Sequence, residues 1–371
     1  MFSLTPCSRK PRRACLQLTL ASGALLASIA ASPAAARTDA AALPKPICSR
    51  YASPTGSDSA RGTEKAPFKT AQRLFDSLRN GETGCLRGGR YDQGEDGYIL
   101  RVGHGGRSSS PIRLRSHPGE RAHLYGTVYV PHGSNHVVLS GLTLEGAGDG
   151  QTIKIYSADV VVEDSELTNG GRGESCMMLG SADKYGEAVR TVVRRNRFHD
   201  CGSQENENKD HAIYAGGALD VRIVGNVFWN TAGYTIHLYP HARRTLVAHN
   251  VIDGGPPSVR GGVMIAGNDD YASRDNIIER NVIAYAEASN VTSRFDSGVV
   301  GNGNLVRNNC VWGGRDGNVD RGDGGFTASG NLVAAPAFVA RRTHDYRLRR
   351  GSKCLAVVGY DAAARLLPLR R

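Results

Sequence analysis

Four residues in the middle of the chain have the side chains that proton transfer requires, and they lie in two short apolar segments. His211 and Tyr214 belong to one segment, and His237 and Tyr239 belong to the next. An imidazole can take up a proton at neutral pH, and a phenol hydroxyl can give one to a leaving oxygen. His237 and His211 are therefore the candidate bases, and Tyr214 and Tyr239 are the candidate acids.

Charged and aromatic residues accompany this set and indicate an anionic ligand. The candidate binding residues are Lys209, Asp210, Arg294, Lys154 and Tyr156. The first two end a long polar insertion that directly precedes one histidine, and the others lie in neighbouring segments of the same kind. The alternative is that the tyrosines and charged residues are ordinary surface residues of a sheet without a function, and that the Asp-His pair is only a local structural contact.

Alternation along each segment predicts which of these side chains face outward, because successive side chains of a strand point to opposite faces. If the isoleucines point inward, the outward residues are Lys154, Tyr156, Asp210, Tyr214, His237 and Tyr239. His211 would then start its strand on the inward side or at its rim. Neighbouring strands lie ~4.8 Å apart, so we expect the ring of Tyr214 to lie beside that of His237.

These segments belong to a repeat that organises most of the chain. From Val137 onward, a short alternating β segment, a turn residue and a second short segment recur eight times. The turn positions are Leu142, Ser165, Asn196, Asn226, Asn250, Asn281, Asn309 and Asn331. Their spacing varies between 22 and 31 residues, which indicates constant strands joined by variable loops. Each copy is typical of one coil of a β-solenoid.

Asparagine at six of the eight turns favours this interpretation over other β folds. Asn tolerates the left-handed conformation, and stacked Asn amides can bond from coil to coil. We therefore predict that the turn asparagines stack at one position. A β-propeller would need repeats of ~40–45 residues with Trp-Asp motifs, which are absent. A β-sandwich does not explain an Asn that recurs at one register.

Segments near both ends of the chain resemble those of secreted right-handed parallel β-helix proteins. The superfamily includes pectate lyases, alginate lyases, chondroitinase-B-type lyases and mannuronan epimerases. The opening segments are Tyr51-Ala52-Ser53-Pro54-Thr55-Gly56-Ser57-Asp58, Ala66-Pro67-Phe68-Lys69-Thr70 and Leu86-Arg87-Gly88-Gly89-Arg90-Tyr91, and the closing segment is Asp345-Tyr346-Arg347-Leu348-Arg349-Arg350-Gly351-Ser352-Lys353-Cys354. The resemblance covers residues 48–360 and implies an all-β fold, a single-stranded right-handed parallel β-helix (solenoid).

An N-terminal capping α-helix is expected at the open end of this solenoid. Pro67 suits a helix start, and apolar residues recur at helical spacing from Phe68 to Leu78, before Asn80-Gly81. Such a helix would cover apolar side chains and unpaired strand edges of the first coil. We expect no second domain: residues 37–47 form a flexible lead and residues 361–371 a C-terminal tail.

The resemblance implies that the polar patch lines a saccharide groove and acts on a uronic-acid-containing polysaccharide. Lysis by β-elimination needs a base, an acid and a cation on the sugar carboxylate, for which Lys209, Arg294 or Ca²⁺ would serve. A C5-epimerase would use the same set and return the proton to the opposite face. Asp210-His211 resembles the Asp-Pro-His motif of mannuronan epimerases, but the Pro is missing.

Two other functions stay open at this point. A glycoside hydrolase would use paired carboxylates. Asn268-Asp269-Asp270 resembles one polygalacturonase motif, but Gly103-His104-Gly105 lies upstream of it instead of downstream, and no Arg-Ile-Lys exists. The other alternative is a non-catalytic carbohydrate- or cell-wall-binding surface solenoid.

No cofactor is certain from the sequence, and calcium is the one metal ion that the residue types suggest. Carboxylates are the hard oxygen ligands that Ca²⁺ takes, but no fixed spacing among them marks a site. The acidic residues that could contribute are Glu205, Glu207, Asp210, Asp269 and Asp270.

Residues 1–36 have the pattern of a secretory signal peptide, with a basic start, an apolar run and an Ala-x-Ala site. Arg12-Arg13 is similar to a twin-arginine signal, so export by either the Sec or the Tat route is expected, to the periplasm or the exterior. No later apolar run reaches ~18 residues, so no membrane span is expected. Without its four basic residues the mature chain carries a net charge of +7, which suits an anionic polysaccharide. Export and the lack of aromatic–basic motifs argue against nucleic acid.

Six cysteines remain in the mature chain, and an even number in an exported protein predicts disulfides. Sequence alone leaves 15 pairings open. Because contacts in a solenoid are local, we expect Cys48–Cys85, Cys176–Cys201 and Cys310–Cys354. We also expect the protein to be a monomer.

Overall fold

Three parallel β-sheets run through successive coils of the chain, and a full coil contributes one strand to each sheet in the same order. The computed structural model describes residues 48–204, 210–295 and 299–366. The architecture is the right-handed parallel β-helix that the repeat and the resemblance predict. The predicted signal peptide, the lead and the last five residues of the tail lie outside the described residues.

The three sheets are named here in the order in which a coil visits them. Strands of the first sheet are Arg50–Ala52, Thr83–Leu86, Ile112–Ser116, Val137–Ser140, Val161–Glu163, Val192–Arg194, Arg222–Val224, Leu246–Ala248, Ile277–Glu279, Asn304–Arg307 and Phe326–Ser329. Strands of the second sheet are Gly89–Asp92, Ala122–Tyr125, Thr143–Glu145, Glu166–Thr168, Arg197–Cys201, Val227–Thr231, Val251–Asp253, Val282–Ala284, Cys310–Trp312 and Leu332–Val333. Strands of the third sheet are Tyr98–Arg101, Thr127–Val130, Ile153–Ile155, Met177–Leu179, Ile213–Ala215, Ile236–Leu238, Val263–Gly267, Ser289–Phe295 and Gly317–Val319.

Alternation fills the interior of the coils with apolar side chains. In strand Ile112–Ser116, Ile112 and Leu114 are buried, while Arg113 and Arg115 between them are partly exposed. Each large aliphatic side chain taken out of water contributes roughly 1.5–3 kcal/mol before the entropy of ordering it is subtracted. The strands therefore hold a fixed register, because a slip of one residue would turn charged side chains into the core.

The predicted asparagine ladder is present at the turn between the first and second sheets. Asn226 Nδ2 donates to Asn250 Oδ1 at 3.0 Å, and the backbone N–H of Asn226 donates to the same oxygen at 2.9 Å. The same pattern joins Asn196, Asn226, Asn250, Asn281, Asn309 and Asn331. At its upstream end, Ser165 N donates to Asn196 Oδ1 at 3.0 Å. The ladder satisfies backbone groups that every turn would otherwise leave buried and unpaired.

One detail of the prediction was wrong, because the ladder asparagines between Asn196 and Asn331 do not adopt the left-handed conformation. The residue just before each of these turn positions does so, with positive φ at Asp164, Arg195, Gly225, His249, Arg280, Asn308 and Gly330. Bending the chain one residue earlier leaves the Asn side chain free to point along the stack. A second ladder, joining Asn276 Nδ2 to Asn304 Oδ1 at 2.9 Å, lies at the turn into the first sheet.

The capping helix is shorter than predicted. It spans Ala71–Asp76 and begins after Thr70, whose side chain accepts a backbone hydrogen bond at the N-cap. Pro67 is not at the helix start, because Phe68 forms a β-bridge with Ala52 and keeps this stretch extended. The buried helix residues are Ala71, Leu74 and Phe75. No helix in the described part of the chain is long and apolar enough to span a membrane.

The segment after the last coil folds back over the outer face of the second sheet. Strands Phe338–Ala340 and Asp345–Leu348 pair antiparallel, and helix Cys354–Val358 follows them. Their apolar side chains pack with Val227, Trp229, Val251, Val282 and Cys310. The closing segment therefore covers one sheet instead of adding another coil.

All three disulfides form as locality predicts. Cα–Cα separations are 5.6 Å for Cys48–Cys85, 5.4 Å for Cys176–Cys201 and 5.3 Å for Cys310–Cys354. These separations lie inside the range that a disulfide can bridge. The bridges join the first coils, two neighbouring middle coils, and the last coils with the closing segment.

Candidate functional site

A row of side chains from successive strands forms the outer face of the third sheet. Register pairs align Arg101, Tyr129, Lys154, Met178, Tyr214, His237, Met264 and Thr292. The row is exposed at Arg101 and partly exposed from Tyr129 to His237, and Met264 closes it with 3% exposure. Tyr214 and His237 are direct register partners, as the alternation predicts. This open part of the row is the candidate site.

His237 lies among tyrosines at the closed end of the open row. Its ring centroid is 5.1 Å from that of Tyr239 and 5.5 Å from that of Tyr214. The two tyrosine rings are 6.1 Å apart. His211 Nε2 lies 3.0 Å from His237 Nδ1, within hydrogen-bonding distance. The structure thus brings all four predicted catalytic residues together.

The surroundings lower the pKa of His237 and raise the pKa of Tyr214. Burial, followed by the positive charges of His211 and Arg260, holds the pKa of His237 well below its ordinary value of 6.5. Burial, followed by the neighbouring Tyr239 and Glu174, raises the pKa of Tyr214. His237 is therefore an uncharged imidazole at neutral pH, and Tyr214 keeps its hydroxyl proton. A neutral base beside a protonated acid is the combination that acid–base catalysis needs.

The direction of the hydrogen bond between the two histidines determines whether Nε2 of His237 carries a proton. If His237 Nδ1 donates to His211 Nε2, then His237 Nε2 keeps its lone pair and can act as a base. If the donor is His211, then His237 Nε2 carries the proton. His211 is fully buried, so its contact with His237 comes from the inside of the coil and its own side chain is not accessible to a ligand.

Of the two predicted binding residues that directly precede His211, the structure describes only Asp210. Lys209 lies outside the described residues. Asp210 is buried, contrary to the outward orientation that alternation predicted, because it precedes strand Ile213–Ala215 and the alternation does not extend to it. Its Oδ2 accepts hydrogen bonds from Ser203 N at 2.8 Å and Ser203 Oγ at 3.0 Å. Asp210 and Ser203 therefore hold together the two ends of the polar insertion that lies between them.

The other predicted binding residues lie along the third sheet. Lys154 is partly exposed and lies two strands upstream of Tyr214 in the row. Tyr156 follows the same strand but is only 5% exposed, because neighbouring tyrosines cover it. Arg294 is exposed on strand Ser289–Phe295, beyond the point where the row closes.

Three residues that the sequence did not single out complete the surroundings of His237. The Tyr234 ring is 5.4 Å from that of His237 and 6.1 Å from that of His211. The Arg260 guanidinium lies 5.7 Å from the centre of the Tyr234 ring. The negative charge of Glu174 helps to raise the pKa of Tyr214. All three precede a strand of the third sheet or belong to a loop, where period-two alternation gives no information.

Two open cavities are lined by residues that surround His237 and Tyr214, one by Glu174 and the other by Tyr234 and Arg260. One of about 920 Å³ lies on the side of Glu174, and its walls include Asp149, Arg172, Asp200 and Ser203. The other, of about 260 Å³, is lined by Tyr234, Arg260, Met264, Thr292, Arg294 and Asp320 among others. Polar and charged side chains line both cavities.

The described residues show no calcium site. Among residues 48–204, 210–295 and 299–366, no group of three or more His, Cys, Asp or Glu side chains is arranged to hold a metal ion. Glu205 and Glu207 lie outside these ranges. The carboxylate of Asp210 is already bonded to Ser203.

Comparisons with known proteins place the chain among β-helices. A family model described as the right handed beta helix region matches residues 126–333, more than half of the chain. The uncharacterised protein YwoF of Bacillus subtilis (strain 168) is 23% identical over 324 residues, covering 76% of this chain and 67% of YwoF.

Two pectate lyases are also similar to the chain. Pectate lyase PEL9 of Emericella nidulans is 39% identical over 70 residues, which span 19% of this chain and only 16% of the lyase. The crystal structure of pectate lyase Pel9A superposes with a TM-score of 0.57 at 15% identity, over 82% of this chain and 90% of the lyase. At that identity, the structural likeness shows a shared fold.

Proposed function

This chain belongs to the right-handed β-helix family, and on that premise we propose that it is an exported lyase for an anionic, uronate-containing polysaccharide. The observation that carries the proposal is the contact of His237, uncharged at neutral pH, with Tyr214 and Tyr239 on the open face of the third sheet. The site is exposed enough for a polymer to lie across it, and it contains both partners of a proton transfer.

The proposed reaction is a β-elimination. His237 Nε2 takes the proton from the carbon next to the uronate carboxyl, and the electron pair released forms a carbon–carbon double bond. The bond to the 4-linked oxygen breaks, and Tyr214 or Tyr239 donates its hydroxyl proton to that oxygen. The products are one chain with a new hydroxyl end and one with an unsaturated uronate end. Solvent returns the proton from His237 to the tyrosinate.

Positive charge near His237 would stabilise the enolate that develops on the uronate. Arg260 is the cation whose charge acts on His237, and Arg294 lines the same 260 Å³ cavity. His211 has a positioning role in this proposal: it accepts the hydrogen bond from His237 Nδ1, which leaves the lone pair of Nε2 free for the substrate proton. Lys154, on the other side of Tyr214, would hold a neighbouring carboxylate.

A polygalacturonate is the substrate that we propose first. Two of the similar proteins are pectate lyases, and the net charge of the mature chain favours a polyanion. Export is part of the proposal, supported by the basic and apolar pattern of residues 1–36 and by three disulfides, which persist in oxidising compartments.

The test is to incubate the purified mature protein with polygalacturonate, alginate, hyaluronan and chondroitin. We expect polygalacturonate to become shorter and to gain the ultraviolet absorbance of an unsaturated uronate. A C5-epimerase would change the sugar composition by NMR and leave chain length and absorbance unchanged. A binding solenoid would retain a polymer and alter none of these. Either of those outcomes, or a loss of chain length without the new absorbance, would contradict the lyase.

A further inference from the structure

Four tyrosines form a continuous line of rings upstream of His237, two of them in strands of the third sheet and two in the segments that follow its next two strands. The centroid distances are 5.5 Å between Tyr98 and Tyr129, 5.9 Å between Tyr129 and Tyr156, and 5.3 Å between Tyr156 and Tyr185. The rings are tilted by 44–62° to one another, so they pack at an angle instead of stacking face to face. We call these four residues the tyrosine track.

The hydroxyl groups of the track lie close enough to influence one another. Burial, followed by the neighbouring hydroxyls of Tyr129, Tyr185 and Tyr98, raises the pKa of Tyr156 to about 12. The phenol of Tyr156 therefore stays protonated across the physiological range. Tyr98 and Tyr129 are partly exposed, and Tyr185 is 49% exposed. Solvent, or a ligand, can reach the line from one side.

Three cations lie beside the track. The Arg101 guanidinium lies 4.5 Å from the Tyr98 ring centre and 5.1 Å from that of Tyr129, and the Lys184 ammonium lies 5.0 Å from that of Tyr185. Lys154 is the register partner of Tyr129 in the next strand. Within the described residues, none of the ion pairs includes any of these three cations. Many arginines elsewhere are paired, including Arg190 with Asp159 at 2.6 Å.

The row of outward side chains is closed at its C-terminal end and accessible toward its N-terminal end. Toward the C-terminus, Met264 and Thr292 close the row beside His237. Toward the N-terminus the row stays accessible as far as Arg101. There the track ends at a cavity of about 610 Å³ lined by Tyr98, Arg101, Lys69, Gln72 and Asp96 among others.

From this arrangement we infer that the tyrosine track, with Arg101, Lys154 and Lys184, is an extended binding surface for an acidic polysaccharide on the N-terminal side of the reacting centre. Sugar rings lie against the accessible rings of Tyr98, Tyr129 and Tyr185, and successive carboxylates pair with the three cations. Five inter-strand steps of ~4.8 Å separate strand Tyr98–Arg101 from strand Ile236–Leu238, a span of ~24 Å that only an oligosaccharide can cover. The inference rests on the proposed function for its substrate class.

The test measures binding, by calorimetry, of galacturonate oligomers from disaccharide to octasaccharide to the His237→Ala protein, which removes turnover. We expect affinity to rise with length. Tyr129→Ala in that background should weaken octasaccharide binding about tenfold, which corresponds to ~1.4 kcal/mol, and leave disaccharide binding unchanged. Lys154→Gln should do the same and also reduce the salt dependence of binding. Tyr129→Phe keeps the ring and should show a smaller loss than Tyr129→Ala.

Matched controls come from the neighbouring sheets. Tyr125 is partly exposed and lies on the second sheet only four residues before Tyr129, so Tyr125→Ala should leave binding unchanged. Arg113→Gln removes a partly exposed arginine of the first sheet and controls for the loss of charge. Circular dichroism would show whether each variant is folded.

The outcomes separate this inference from the proposed lyase. If the octasaccharide binds no more tightly than the disaccharide, or if Tyr125→Ala weakens binding as much as Tyr129→Ala, the track is not the binding surface, whatever the protein does to the polymer. If the wild-type protein shows no turnover, but Tyr129→Ala still weakens octasaccharide binding selectively, then the track stands and the lyase does not.

Discussion

His211 Nε2 lies 3.0 Å from His237 Nδ1, although the two residues come from neighbouring coils 26 positions apart in sequence. His211 is fully buried and His237 is partly exposed, so the contact passes from the core to the outer face of the third sheet. The contact restrains the orientation of the partly exposed imidazole. The positive charge that His211 would carry also opposes protonation of His237.

This relationship predicts the pH dependence of turnover. Because burial and the charges of His211 and Arg260 lower the pKa of His237, the base should stay unprotonated below the ordinary histidine pKa of about 6.5. The acidic limb of a kcat/KM profile should therefore fall below pH ~6.5. His211→Gln removes one of these charges and should move that limb upward while lowering kcat more than it changes KM. A profile that His211→Gln leaves unmoved would remove the positioning role.

Tyr214 should act as a proton donor more than as a binding group. Tyr214→Phe keeps the ring that packs against His237 and removes only the hydroxyl. We expect kcat to fall by ~10²–10⁴-fold with little change in KM, if Tyr214 and not Tyr239 is the acid. Tyr125→Phe on the second sheet is the control and should change neither constant. Full activity in Tyr214→Phe, with a large loss in Tyr239→Phe, would assign the acid to Tyr239.

Much of the fold could be predicted because each coil repeats the same short sequence pattern of a strand, a turn residue and a second strand. The Asn at the turn recurs since its amide bonds to the coils above and below, which constrains the residue type. The left-handed residue before it could not be recognised, because Asp164, Arg195 and His249 adopt that conformation as well as glycine. The stacked coils impose this left-handed conformation on residues of several types. No residue type is therefore common to these positions.

The asparagine ladder predicts a position-dependent loss of stability. Asn250 bonds on both sides, to Asn226 and Asn281, and also donates to the carbonyl of Ile223 at 2.8 Å. Asn250→Ala leaves several buried groups unpaired and should lower the free energy of unfolding by ~2–4 kcal/mol, since each such group costs ~1–3 kcal/mol. Asn331→Ala, at the end of the ladder, should cost less. Denaturant unfolding of both variants measures the difference, and equal losses would argue against the ladder.

A charged histidine on the second sheet predicts that stability falls at alkaline pH. Burial opposes the charge of His199, but hydrogen bonds to Asp200 and Glu166 outweigh it and raise its pKa to about 9. Because this value lies above the unfolded value of 6.5, the stabilisation is complete below pH ~6.5 and is lost as pH rises toward 9. It amounts to at most ~3 kcal/mol. The melting temperature should drop across this interval, and His199→Gln should flatten the drop.

The candidate site could be predicted only where its residues lie inside strands. Alternation placed Tyr214 and His237 together because both are central residues of three-residue strands. It failed for Asp210, which precedes a strand and turns inward. Strand Thr127–Val130 has the same alternation, so the outward position of Tyr129 was available from the sequence. Its contacts with other tyrosines were not, because they join residues far apart in the chain.

The measurement that tests the central claim most directly compares the wild-type protein with His237→Ala on polygalacturonate, following turnover and polymer retention together. The wild type should generate unsaturated uronate ends. His237→Ala should lose that activity by at least ~10²-fold and still retain the polymer, because removing the base acts on the transition state more than on ground-state binding. Undiminished turnover in His237→Ala, or an equal loss of turnover and retention, would contradict the assignment of His237 as the base of a lyase.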